Sequence, residues 1–185
     1  MNTVGTPGFP DWVDVGVYDP GAHPSDGGQK IDFHGEEVRF ADLNGDGRDD
    51  ILLVSAEGAV HVYRNLWNPD GGGGNGNVEP ECWPLWLNWA GGTKGSSLEA
   101  VRFADGDGDG AADYLQVSVE GAVHAFLNRG AGGNGSFEPR YDWAHASGYP
   151  REYVTFADIS GDGRADYLVV YHGGAVRAWL NRGGN

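Results

Sequence analysis

Three stretches of the sequence place oxygen-bearing side chains at alternate positions and then become apolar. The first reads FADLNGDGRDDILL from Phe40 to Leu53, and two related stretches follow Val101 and Val154. Carboxylate and amide oxygens spaced two residues apart along a loop can converge on one point, which is what a hard divalent cation requires. The sequence therefore predicts three metal-binding loops.

Each loop supplies side-chain ligands from positions 1, 3, 5 and 9 and a backbone carbonyl from position 7. The predicted ligands are Asp42, Asn44, Asp46, Arg48 and Asp50 in the first loop, Asp105, Asp107, Asp109, Ala111 and Asp113 in the second, and Asp158, Ser160, Asp162, Arg164 and Asp166 in the third. Glycine occupies position 6 of every loop, where a sharp reversal favours a residue without a Cβ atom.

Calcium is the ion that these loops favour, at about three ions per chain if each loop binds one. An EF-hand would place glutamate at position 12, but Leu53, Gln116 and Val169 stand there. Zinc prefers histidine and cysteine, and magnesium prefers a tighter octahedron with several retained waters. The alternative is three solvated turns in which the aspartates bond only to their own backbone.

Composition narrows the class of protein. The chain has 185 residues, 33 of them glycine, with a formal net charge of −15. Frequent glycine favours short elements and many turns, as in an all-β domain. The negative charge disfavours nucleic acid and anionic membrane as partners. No apolar run is long enough to span a bilayer, and residues 1–10 lack the pattern of a signal peptide.

The acidic loops belong to internal repeats that begin near Val38, Val101 and Val154. After each loop come a short apolar segment, a glycine-bearing turn and an alternating segment, which together read as a β-hairpin. Aromatic segments, CWPLWLNWA and RYDWAHA, follow the first two repeats and read as outer strands. Each repeat therefore predicts one blade of four antiparallel strands, in a single domain that spans residues 1–185.

The third repeat ends before an outer strand of its own. The segment FPDWVDVGVYDPG, within residues 1–37, resembles the missing strand and could complete the last blade. Because three blades are too few to close a propeller comfortably, we infer a homodimer that closes a six-bladed ring. The alternative is that the chain is part of a longer ring.

The motif F-A-D-x-[NDS]-G-D-G-x-x-D followed by a β run resembles the FG-GAP or VCBS repeats of integrin-α-type β-propellers. It is also similar to the PVL-like fungal and bacterial propeller lectins built from such repeats. The resemblance implies a calcium-binding β-propeller with one ion in each hairpin loop. It further implies an extracellular or secreted protein that recognises a glycan or another extracellular protein.

Exposed aromatic side chains are the expected platform for a sugar. The candidates are Trp83, Trp86, Trp89, Tyr141 and Trp143. The alternative for these residues is packing between blades, because tryptophan is buried on average. No nucleophile stands in register with a base and an orienting acid, so we expect a module without enzymatic activity that binds carbohydrate or acts as a structural or protein-interaction unit.

Overall fold

Short strands joined by glycine-bearing turns form three antiparallel sheets, which we call blades 1, 2 and 3. The computed structural model describes residues 37–66, 85–130 and 136–183, with the backbone alone described for 85–88. Blade 1 contains β1 (Val38–Ala41), β2 (Asp50–Val54), β3 (Val60–Tyr63) and β4 (Leu85–Ala90). Blade 2 contains β5 (Val101–Ala104), β6 (Asp113–Val117), β7 (Val123–Asn128) and β8 (Phe137–Ala144). Blade 3 contains β9 (Val154–Ala157), β10 (Asp166–Val170) and β11 (Val176–Trp179).

Consecutive strands are neighbours in every blade, so each sheet is a simple antiparallel meander. The acidic loops join the first strand of each blade to the second, and the glycine turns join the second to the third. One short 3-10 turn, Arg151–Tyr153, precedes β9. The prediction of an all-β chain built from propeller blades is thereby confirmed.

Apolar side chains pack between neighbouring blades. We call the side of a sheet that meets the next blade its trailing face. On blade 1 this face carries four side chains that are at most 1 % exposed: Leu52, Val54, Val60 and Val62. They form one core with Val101, Ala112 and Tyr114 of blade 2. We call this interface between blades 1 and 2 the first seam and the interface between blades 2 and 3 the second seam. The second seam is built the same way, with Val123 and Ala125 packed against Val154 and Tyr167.

A tyrosine hydroxyl crosses each of these seams. Tyr114 donates a hydrogen bond of 2.8 Å to the carbonyl of Gly58, and Tyr167 donates one of the same length to Gly121. Both glycines have positive φ, and a Cβ atom on Gly121 would lie 2.6 Å from the Tyr167 hydroxyl. Glycine in the turn therefore lets the next blade approach closely.

Hydrogen bonds also connect each acidic loop to the next blade. The amide of Ala112 donates to the carbonyl of Asp42 at 2.7 Å, and Asn128 Nδ2 donates to the carbonyls of Leu43 and Ala112. In the second seam, the amide of Ala165 donates to the carbonyl of Asp105, and the side chain of Asn181 bonds in the same way. The acidic loops are therefore part of the contact between blades.

The third blade contains three strands among the described residues. The predicted fourth strand, FPDWVDVGVYDPG, lies outside the described residues, so its position stays a prediction.

Replacing Asn128 with alanine should separate blade 1 from blade 2 at the acidic loop. The substitution leaves the buried carbonyls of Leu43 and Ala112 without their donor, which typically costs about 1–3 kcal/mol. We expect the free energy of unfolding, measured with urea, to fall by that amount. Thr155→Ala on an exposed strand position is the control, and equal stability of N128A and T155A would contradict the proposed connection.

Candidate metal centre

The first carboxylate of each loop organises the loop backbone around itself. Asp42 Oδ1 accepts hydrogen bonds from the amides of Asn44, Gly45 and Asp46, and Asp42 Oδ2 accepts one of 2.7 Å from Gly47. The backbone can curl in this way because the glycine at position 6 has positive φ in all three loops, at 81°, 91° and 87°. The bonds from the amides at positions 4 and 6 recur around Asp105 and Asp158. Local sequence alone is therefore enough to shape the loop.

The second loop brings three carboxylates together. One oxygen from each of Asp105, Asp107 and Asp109 lies within 4.8 Å of the others. Three negative charges this close repel one another strongly, and a divalent cation between them would relieve that repulsion. The donor set is oxygen only, so it fits calcium better than zinc. Loops 1 and 3 have oxygen-bearing side chains at the same positions, but Asn44 and Ser160 replace the central carboxylate.

The carboxylate at position 9 is buried and bonded to backbone amides. Asp113 accepts hydrogen bonds from Gly106 at 2.8 Å and Asn128 at 2.7 Å, and Asp50 accepts equivalent bonds from Leu43 and Asn65. Burial raises the pKa of Asp50 to about 6 and that of Asp113 to about 7, and the neighbouring loop carboxylates add to the effect. Asp113 does not belong to the group formed by the other three carboxylates.

Arginine side chains contact the loop carboxylates. Arg129 Nη1 lies 2.5 Å from Asp107 Oδ2 and 3.4 Å from Asp109 Oδ2, and Arg48 Nη2 lies 2.7 Å from Asp46 Oδ2. In loops 1 and 2, the positive charge of an arginine therefore partly offsets the negative charge of the loop carboxylates. The loop motif did not identify Arg129, because this residue lies 20 or more positions away from these aspartates in the sequence.

The residues at position 7 differ in what their side chains do. Arg48 Nε donates to the carbonyl of Asn65, and Arg164 Nε donates across the seam to the carbonyl of Asp107, whereas Ala111 has no such group. That their carbonyls bind an ion stays a prediction.

The aromatic candidates have different environments. Trp89 is 1 % exposed and packs edge-on against Phe137, so it belongs to the core, as the packing alternative proposed. Tyr141 is 69 % exposed, and Trp143 is half-buried. Trp83 lies outside the described residues, as does the side chain of Trp86.

Trp143 lies in a groove between blades 2 and 3. Two adjoining cavities share it, of about 190 Å³ and 240 Å³. Three arginines, Arg129, Arg140 and Arg164, line the first cavity. The second cavity is lined by Tyr167 and Trp179. Sequence reasoning identified Trp143 but not the arginines around it, since they come from three separate strands and loops.

A model of the FG-GAP-like repeat matches residues 42–116 and 105–169, a span that includes all three acidic loops. The chain belongs to the FG-GAP-like repeat family. The resemblance first drawn from the loop motif is thereby confirmed.

Similar proteins contain this repeat within much longer chains. Integrin alpha-4 of Xenopus laevis is 30% identical over 168 residues, which cover 77% of this chain and 15% of that protein. The chain therefore spans about a seventh of that relative.

Solved structures with a similar arrangement come from toxins and a lectin. A TcdB2-TccC3 structure has a TM-score of 0.49 and 24% identity, over 73% of this chain and 6% of the other. An Agrocybe aegerita lectin, solved for its recognition of terminal N-acetylglucosamine, has a TM-score of 0.43 and 26% identity, over 84% of this chain and 40% of the lectin. In the described part of this FG-GAP chain, no helix is long and apolar enough to span a membrane.

In metal-free protein, stability should fall as the pH rises from about 4 to about 7.5. The folded pKa values of Asp50 and Asp113, about 6 and about 7, exceed the ordinary value of 3.8. The folded state therefore favours the protonated carboxyl groups. The stability that this preference contributes is fully present below the unfolded pKa and is lost as the pH rises through the folded pKa. Urea unfolding in the presence of a chelator measures the effect.

Asp113→Asn removes one of the two titrating groups, so its stability should depend less steeply on pH in this range. A D113N protein with the wild-type slope would contradict the assignment of this pH dependence to Asp113.

Proposed function

We propose that the protein is a calcium-binding, propeller-type recognition module whose ligand is carbohydrate and which acts outside the cell. The observation that carries the proposal is the convergence of Asp105, Asp107 and Asp109 within 4.8 Å, in a loop whose sequence pattern recurs twice more. Asp105 accepts two loop amides, from Gly108 and Gly110. Asp107 and Asp109 accept one amide each, from the residue two positions further along the loop. The second and third carboxylates add repulsion that a cation offsets.

Calcium, when bound, would supply charge neutralisation and oxygen coordination in the loop. The residues that would hold it in loop 2 are Asp105, Asp107 and Asp109, with Asp113 and the carbonyl of Ala111 completing the predicted set. The carbonyl of Asp105 accepts a hydrogen bond from the amide of Ala165 in blade 3. Ordering the loop would therefore also order the seam beside the groove.

Two observations support carbohydrate as the ligand and a non-catalytic role. The groove offers Trp143 and Trp179 together with polar side chains, which suits the apolar faces and hydroxyl groups of a sugar. Two histidines have partners that are compatible with a structural role: His124 accepts from the amide of Asp142, and His172 bonds to the Tyr153 hydroxyl. A protein-binding or structural module is the second candidate, because a seam of this kind can also accept a peptide.

A glycan array probed with calcium-loaded protein tests the proposal. We expect specific binding to carbohydrate, loss of that binding on chelation, and a melting temperature lowered by several degrees, because carboxylate repulsion then loosens the loops. Folded protein that ignores every glycan would favour the protein-binding candidate. A melting curve unaffected by complete chelation would refute the calcium assignment.

Two substitutions distinguish the loss of a calcium ligand from the loss of one negative charge. Asp109→Ala should remove one of about three calcium sites in a calorimetric titration, since position 5 is aspartate in every loop. Glu120→Gln, an exposed acid in a turn, removes the same charge and should leave all sites intact.

The trailing face of blade 3 supports assembly with a further blade. Val170 and Val176 are 38% and 57% exposed, whereas their counterparts Val117 and Val123 on blade 2 are fully buried. Gly174 has no atom within 4 Å of an added Cβ, although its counterpart Gly121 meets a tyrosine of the next blade. The face is thus built for a neighbour, and we propose that a second copy of the chain supplies it in a six-bladed ring.

Light scattering after gel filtration should give a mass near twice the 19.7 kDa of the chain. Val176→Lys should reduce it to the monomer, because a buried lysine without a partner is costly. Val119→Lys, at a 64% exposed turn position, is the matched control and should remain dimeric. A monomeric wild-type protein would exclude the homodimer and leave the alternative of a longer ring.

A further inference from the structure

The second seam contains cavities at a place where a buried tryptophan side chain packs in the first seam. Strand register makes Trp143 the counterpart of Trp89, because Ala144 pairs with Val123 as Ala90 pairs with Val60. Trp89 is 1 % exposed, but Trp143 is half-buried and borders both cavities.

Position 2 of the acidic loop explains the difference in part. In loop 1 this position is Leu43, which is fully buried in the first seam. In loop 2 it is Gly106, and the ring of Trp143 lies 3.2 Å from where a Cβ atom would be. The absent side chain therefore leaves room for the tryptophan and for the cavity beside it.

Three positions around this cavity change from uncharged residues to arginine. Arg129 replaces Leu66, which follows the same asparagine in blade 1, and Arg164 replaces Ala111 at position 7 of the preceding loop. Arg140 pairs with Ala125 as Trp86 pairs with Val62, so it replaces a tryptophan. All three arginines line the cavity. Three repeat positions are cationic between blades 2 and 3 and uncharged between blades 1 and 2, which indicates that the two seams contact different groups.

Hydrogen bonds and ion pairs fix the three arginine side chains in position, and some of their N–H donors are not used by these contacts. Glu138 accepts from Arg129 Nε and lies 2.5 Å from Arg140 Nη2. Arg164 donates through Nε to the carbonyl of Asp107, and its guanidinium group lies beside Gly183. Among the described residues, Arg140 Nε is buried without a hydrogen-bond partner, as is Trp89 Nε1 between blades 1 and 2. A buried donor without a partner calls for a ligand or a water, and Arg140 lines the cavity.

We propose that this groove binds an acidic carbohydrate, with the carboxylate of a sugar acid on Arg140 and Arg164 and its ring against Trp143. Guanidinium groups bind carboxylates by charge-assisted, often bidentate hydrogen bonds. Carboxylates already lie beside this site: Asp107 lines the cavity and pairs with Arg129, and Glu138 pairs with Arg129 and Arg140. Arg164 bonds to a backbone carbonyl, a contact that leaves its charge uncompensated. More distant charges, beyond about 8 Å, are largely screened at physiological ionic strength. The inference rests on the proposed recognition of carbohydrate and names the class of sugar.

A carbohydrate fits the groove better than an acidic peptide does. The groove continues past Trp143 into the second cavity, where Trp179, which is 37% exposed, presents a further aromatic ring. Aromatic surfaces in succession suit a chain of sugar rings, each of which has an apolar face.

Paired ligands on one array test the inference with calcium-loaded protein. The probes are glucuronic-acid-terminated and sialic-acid-terminated glycans, each beside its uncharged counterpart, together with a sulfated glycan and a polyglutamate peptide. We expect the carboxylated glycans to bind at least about tenfold more tightly than their neutral counterparts, in line with hydrogen bonds to charged groups. The preference should weaken as salt is added.

Arg140→Gln and Arg164→Ala should each reduce the affinity for carboxylated glycans by about tenfold and leave the melting temperature near that of the wild type. Alanine already occupies the position of Arg164 in loop 2, so the fold tolerates it. Lys94→Ala removes one positive charge at an exposed site outside the groove and should bind as the wild type does.

The outcomes of these experiments distinguish failure of this inference from failure of the proposed function. Equal binding of neutral and acidic glycans would overturn the inference and retain carbohydrate recognition. Preference for the sulfated glycan or for polyglutamate would overturn the carboxylated-sugar assignment. Binding to no probe by folded protein would overturn both proposals, and a K94A defect equal to that of R140Q would show that general charge decides the affinity.

Discussion

A buried carboxylate at the start of the second strand connects the parts of every blade. Asp50, Asp113 and Asp166 are inaccessible to solvent, and each accepts amides from its own acidic loop and from a residue at the end of the third strand or just after it. In blades 2 and 3, this last residue is an asparagine whose side chain reaches the loop of the preceding blade. A single hydrogen-bonded chain thus runs from the core of one blade to the acidic loop of its neighbour. Burying a carboxylate is costly, and these bonds are what make it tolerable.

The same connection links the loops to the groove. Loop 2 carries the converging carboxylates, it contacts blade 3 through the carbonyl of Asp105, and its Gly106 forms part of the groove wall. Arg129 touches both the carboxylates and the cavity. The proposed calcium site and the proposed ligand groove are therefore neighbours that share Arg129.

Much of the fold follows from the sequence because its signals are local. Alternating oxygen ligands, a glycine at position 6 and a short apolar run fix each hairpin within about twenty residues, and the three repeats confirm one another. The outer strands β4 and β8 were predicted from aromatic composition. The number of strands in each described blade followed from the repeat length.

The seams could not be predicted in this way, since they depend on residues 50 or more positions apart, such as Tyr114 and Gly58. Two tryptophans in equivalent strands, Trp89 and Trp143, are alike as sequence candidates but differ in burial, in part because of one glycine in a distant loop. The arginines of the groove carry no motif either. Comparison of equivalent positions between repeats would have been the sequence signal that identified them.

The glycine at position 106 also bears on how such a protein changes over evolutionary time. Each blade contacts only its neighbours, so the side chains of one seam can be exchanged without disturbing the packing of the next. Repetition thus provides several equivalent sites, of which some maintain the scaffold while others acquire new specificity. A ring assembled from such blades would present its altered seam once per copy, and two weak sites held at a fixed spacing bind a repetitive polymer far more tightly than either does alone.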